Sequence, residues 1–148
     1  MYFLPTALIA AVVSIALGQF WKFVRPLFRG KTPVLRSILQ SGGMPSSHTA
    51  AVVSMALLGG LREGFDTSLF ALSAVFTVIV AHDAIKVRGS IGKIIRLLRK
   101  TIPTDILKTE DDLPSTIGHN FGEVLAGLIL GTAVAFLCNW ALPSPGGL

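Results

Sequence analysis

Cysteine is almost absent: Cys138 is the single one in 148 residues, so no disulfide can form within the chain. Its place in an apolar run argues for an inert, buried thiol and against a redox or metal-binding role. Charge is also scarce, with 14% Asp, Glu, Lys and Arg against 51% hydrophobic residues. Together with a positive mean hydropathy, that balance points to a membrane protein. No charged segment precedes the first apolar stretch and no small-residue cleavage site follows it, so the stretch reads as a retained helix rather than a signal peptide. There is no internal repeat and no low-complexity tract. No aromatic platform accompanies the basic residues, which argues against a nucleic-acid partner. The acidic run Glu110-Asp111-Asp112 reads as a solvated turn rather than a metal site.

What is present is hydrophobicity in long blocks. Residues 1–148 read as a single all-α membrane domain, an integral four-helix bundle with spans at about 2–23, 44–61, 68–85 and 121–142. Trp21 and Asn139-Trp140 sit where interfacial residues belong. Short amphipathic helices are expected in the two long connections. Thr32-Pro33 reads as the start of the first, with Val34, Leu35, Ile38 and Leu39 on its apolar face. In the second, Ile91, Ile94, Ile95, Leu98 and Ile102 keep the helical period, while Lys93, Arg96, Arg99 and Lys100 lie off that stripe. The pairs Gly127/Gly131 and Gly118/Gly122 are G-x-x-x-G patterns, which serve close helix packing and permit a homo-oligomer.

The basic residues decide the orientation. Of 13 Lys and Arg, 12 fall between Lys22 and Arg36 or between Lys86 and Lys108. The positive-inside rule then puts both long connections in the cytoplasm and both termini outside, in an inner cell membrane. The net charge of +5 suits anionic lipid or an anionic substrate. One consequence is chemical. Lys22 and Arg25 end the first span on the cytoplasmic side, and Ser46, Ser47 and His48 open the second there. Asp83 and Arg88 end the third, and His119 and Glu123 open the fourth. Ionisable groups at membrane depth are costly unless they serve a site.

Two motifs in that set carry chemistry. Gly42-Gly43-Met44-Pro45-Ser46-Ser47-His48 places hydroxyls, an imidazole and unpaired backbone N–H groups at the start of a helix, a natural anion site. His119 and Glu123 are four residues apart and share a helix face. A carboxylate there can accept the imidazole N–H and make the other ring nitrogen a better nucleophile. The plainer readings are an N-cap serine at a membrane surface and a polar pair stabilising a helix start.

These residues resemble the type 2 phosphatidic-acid phosphatase superfamily, which includes vanadium-dependent haloperoxidases. They are most similar to its small divergent bacterial and plastid branch, the acid phosphatase/vanadium-dependent haloperoxidase-related membrane proteins. The shared features are Gln19-x-x-Lys22, Gly42 to His48, Asp83-x-x-x-x-Arg88 and Gly118-His119-x-x-x-Glu123. Lys22 and Arg25-Pro26 match the superfamily's first motif at a shorter spacing. Pro45 to His48 match the second, with Ser47 in place of glycine. His119 and Glu123 match the end of the third, with Glu in place of Asp. Where that motif has Ser-Arg this chain has Asp112-Leu113, and Arg88 would stand in for the arginine. The resemblance implies hydrolysis of a lipid or isoprenoid phosphate or diphosphate through a phosphohistidine, without metal or cofactor. His119 would be the nucleophile, Glu123 its orienting partner, and His48 the acid and then the base. Lys22, Arg25, Arg88 with Asp83, and the N–H groups near Ser46 and Ser47 would hold the substrate. The missing Ser-Arg leaves a second reading open, a non-catalytic membrane protein that binds a lipid phosphate headgroup or passes an anion. A haloperoxidase ranks third, since it would need bound vanadate and access to peroxide.

Overall fold

The structure, a computed structural model, describes residues 5–30, 32, 43–101 and 119–142. Among them every regular element is helical: α1 (Thr6–Val24), a 3-10 turn (Leu27–Arg29), α2 (Ser47–Glu63), α3 (Ser68–His82), a π turn (Asp83–Val87), α4 (Arg88–Thr101) and α5 (Phe121–Ala141). The expected short helix after Thr32, the acidic run at 110–112, and Gly42 and Gly118 lie outside the described residues.

α2 is the centre, packed against α1, α3 and α5. Small residues let its neighbours approach. On α1, Ala10, Ser14 and Gly18 recur every fourth residue and are buried. Ser14 Oγ donates to Ser54 Oγ at 2.9 Å, and a Cβ on Gly18 would meet Ser47 Cβ at 3.1 Å. On α5, Val124, Gly127, Gly131, Val134 and Cys138 form the buried stripe. A Cβ on Gly127 would stand 2.6 Å from the Ser46 carbonyl oxygen, and one on Gly131 2.9 Å from Val53 Cβ. The Gly127/Gly131 pair is therefore taken up by α2 of the same chain, and an oligomer formed through that face would have to displace α2. The Gly18–Ser47 and Ser14–Ser54 pairings make α1 antiparallel to α2. Gly127 beside Ser46 and Gly131 beside Val53 make α5 parallel to it.

The helices α1, α3 and α5 turn their large side chains outward. Val12, Leu72, Val78, Ile129 and Leu137 are all exposed, and α3 buries no residue at all. Such a surface suits lipid, where the interior can be built from small and polar residues. Three helical stretches are long and apolar enough to cross a membrane: Thr6–Val24, Ser68–Leu98 and Phe121–Ala141. The expected fourth, α2, has 17 residues and a more polar makeup. Neighbours on three sides cover it, and Ser46, Ser47, Thr49 and Ser54 are buried inside.

Two expectations at the ends of helices are revised. α2 runs through Gly59 and Gly60 to Glu63 instead of closing at the glycines. α3 does not stop near Ile85: the helix passes through the π turn directly into the amphipathic α4. At the far end, Arg62 donates to the carbonyls of Cys138 at 3.2 Å and Leu142 at 2.8 Å. The Cys138 carbonyl accepts from the Leu142 N–H at 3.0 Å as well, and carbonyls at a helix C-terminus favour a cation.

Candidate active site

The start of α5 is fixed by a capping box. Asn120 Oδ1 accepts from the Glu123 N–H at 2.9 Å, and Glu123 Oε2 accepts from the Asn120 N–H at 3.2 Å. The same Glu123 oxygen lies 3.0 Å from His119 Nδ1. An ionised carboxylate can only accept, so Nδ1 carries the proton and Nε2 keeps the lone pair. His119 is 8% exposed. Burial pushes its imidazole below the ordinary value against the pull of the Glu123 hydrogen bond and charge, and the cations Lys22 and Arg88 push the same way as burial. The ring is therefore neutral near pH 7, the state a nucleophile requires.

The π turn positions His119 from behind. A π turn shifts the hydrogen-bond register by one residue, and the Ala84 carbonyl accepts from the His119 backbone N–H at 3.1 Å. The same turn brings together residues five apart, and Arg88 Nε donates to Asp83 Oδ2 at 2.7 Å. Nothing in the sequence pattern marked Ala84. The one available signal was the spacing Asp83-x-x-x-x-Arg88, which is out of phase for an α-helix and in phase for this turn.

The Pro-Ser-Ser-His stretch meets α5 through its backbone. The Ser46 N–H donates to the Glu123 carbonyl at 2.9 Å, and its hydroxyl is paired with Thr49 Oγ1 at 2.9 Å. Ser47 is buried against Gly18, and its Oγ is 3.5 Å from Gln19 Nε2. Both hydroxyls are thus engaged in packing. The first-turn N–H groups of α2, from Ser47 to Thr49, have no acceptor within their own helix. His48, unlike its neighbours, is exposed.

Charge couples these parts. Arg88, Lys22 and the His119 ring all act electrostatically on His48. Lys22 and Arg88 act on His119 as well, and Glu123 acts on Lys22. Two imidazoles, two cations and one carboxylate from α1, α2, α4 and α5 therefore stand at one end of the molecule. Arg25 is the residue that caps the end of α1. Among the described residues no group of three or more His, Cys, Asp or Glu is arranged to hold a metal ion. Such a cluster has the charge and N–H donors that a tetrahedral anion calls for.

Comparison with known proteins agrees with the class this site defines. The model of the Divergent PAP2 family, the type 2 phosphatidic-acid phosphatase relatives, matches residues 4–134, and the chain belongs to that family. It is 43% identical over 65 residues to the "Uncharacterized membrane protein YuiD" of Bacillus subtilis (strain 168), a match covering 44% of this chain and 41% of the relative. The chain thus spans less than half the length of that relative. No solved structure matches. The protein is a membrane protein of PAP2 type.

Proposed function

We propose that this protein hydrolyses a lipid or isoprenoid phosphate through a phosphohistidine, at the end of the molecule where the two histidines meet. His119 Nε2 attacks phosphorus and the bond to the leaving oxygen breaks, while His48 gives that oxygen its proton. Water then attacks phosphorus while His48 takes its proton, the N–P bond breaks, and phosphate leaves with His119 regenerated. Lys22, Arg88 and the first-turn N–H groups of α2 hold the equatorial oxygens, where transition-state charge concentrates. Arg25, three residues after Lys22, supplies a further cation for the phosphate. In this reading α2 is a fourth crossing, covered by its neighbours on three sides. The basic connections and the site face the cytoplasm, a placement that the distribution of Lys and Arg supports.

The observation that carries the proposal is the joint between the two motifs. Glu123 holds the His119 ring at 3.0 Å through its side chain and the start of α2 at 2.9 Å through its carbonyl. One residue thus sets the nucleophile relative to the helix that bears His48. The test is phosphate release by purified protein from phosphatidate, phosphatidylglycerophosphate and prenyl diphosphates, with vanadate as inhibitor. Vanadate-sensitive release that is lost in His119→Ala supports the proposal. Equal background release by wild type and His119→Ala refutes it.

The second reading, a phosphate-binding membrane protein without turnover, is favoured by Asp112-Leu113 standing where the superfamily has Ser-Arg. It requires stabilisation by phosphate with no release from any ester.

A further inference from the structure

The same helix that opens with His48 carries an open stripe. Around α2, Ser46, Thr49, Ala50 and Val53 face α5, while Ser47 and Ser54 face α1. Val52 and Gly60 face α3, through Thr77 Oγ1 on the Val52 carbonyl at 3.3 Å and through Phe70 beside Gly60. At 3.6 residues per turn, positions i, i+7 and i+11 from His48 share the remaining face. Those positions are Met55 and Gly59, and neither they nor His48 is buried. The stripe ends in a cavity of about 270 Å³ between α1, α2 and α3, lined among others by Leu8, Met55, Gly59, Phe70 and Glu63. Space remains at the floor as well, since a Cβ placed on Gly59 meets nothing within 4 Å, whereas at Gly60 it would meet Phe65 and Phe70 at under 3.0 Å.

We propose that one hydrocarbon chain of a single-chain lipid phosphate lies along this stripe, its phosphate at His48 and its tail in the Leu8–Met55–Gly59–Phe70 cavity. This rests on the reading of the His48 end as a phosphate site. Along the helix the near edge of the cavity at Met55 is about 10 Å from His48 and its floor at Gly59 about 16 Å, so filling it takes a long chain. The charges fix the direction. Lys22 and Arg88 act at the His48 end, and Glu63 at the cavity repels a phosphate. The volume is below the roughly 300–1,000 Å³ of ordinary drug-sized pockets, room for one chain and not two. A monoacyl, monoalkyl or prenyl phosphate is therefore the smallest complete ligand.

Two measurements test this separately from turnover. The first is photolabelling of the wild-type protein with an alkyl phosphate bearing a diazirine near the tail end. Labels on Leu8, Met55 or Phe70, competed by hexadecyl phosphate, support the groove. Labels spread over the lipid-facing residues Leu72 and Phe76 overturn it. The second compares lysophosphatidate with glycerol 3-phosphate, the same headgroup without a tail. In Gly59→Leu, which fills the cavity, the ratio of kcat/KM for the two should fall at least fivefold, while lipid-facing Leu72→Phe keeps the wild-type ratio. An unchanged ratio in Gly59→Leu refutes the groove and leaves the phosphatase reading standing. Labelling in the groove without release from either substrate does the reverse.

Discussion

Gly127→Ala adds one methyl group at the joint between the two motifs. Its Cβ would lie 2.6 Å from the Ser46 carbonyl oxygen and 3.2 Å from both Ser46 Cβ and Thr49 Cβ. Non-bonded carbons rest about 3.5–4.0 Å apart, so α5 and the start of α2 must separate by about 0.5–1 Å. Backbone is in the way, and no rotamer change relieves it. Overpacking of this kind costs about 1–3 kcal/mol. The separation also pulls on the 2.9 Å bond from the Ser46 N–H to the Glu123 carbonyl, moving His119 and Glu123 away from His48. A misplacement near 1 Å costs roughly 100-fold in rate. Gly122→Ala is the control, because its Cβ meets only Asn120 Oδ1 at 3.4 Å. Thermal unfolding in detergent and phosphate release should both drop for Gly127→Ala, with Gly122→Ala within about 0.5 kcal/mol of wild type. Equal stability and activity in the two variants would mean that the helices are not in the contact described.

Other outcomes follow from the same geometry. Glu123→Gln removes the negative charge behind His119 and can turn an NH2 group toward Nδ1, favouring the other tautomer, and release should fall about 100-fold or more with KM little changed. Burial holds the folded His119 below its ordinary value, so the unfolded chain takes that proton first as pH falls. Stability should therefore drop below about pH 6.5, and His119→Gln should flatten the unfolding midpoint between pH 7 and 5. A profile as steep in the variant would contradict the assignment. Arg88→Lys keeps the charge but loses the planar donor set that bonds Asp83 while presenting further N–H groups. Vanadate affinity should weaken about tenfold. Arg62→Ala removes donors from the Cys138 and Leu142 carbonyls and should cost about 1–2 kcal/mol in thermal unfolding, with phosphate release otherwise retained.

The site was readable where its chemistry is local. His119 and Glu123 do pair as their four-residue step suggests, though not on a helix face: His119 precedes the Asn120 cap and Glu123 reaches back to it; Pro-Ser-Ser-His opens α2 as its composition implies. Hydropathy placed α1, the start of α3 and α5, because their outward faces meet lipid and must be apolar. It served less well for α2, whose neighbours relieve it of that requirement and whose interior is made of hydroxyls and alanines. The π turn escaped notice because Gly89 and the basic residues beyond it look like the end of a span, while the continuity of the helix is set by the backbone.

Equilibrium titration with vanadate tests most directly whether one anion lies between two imidazoles. Wild-type protein should bind one vanadate per chain, and His48→Ala and His119→Ala should each weaken binding at least tenfold. Wild-type affinity in either variant would mean that the two rings do not share a ligand.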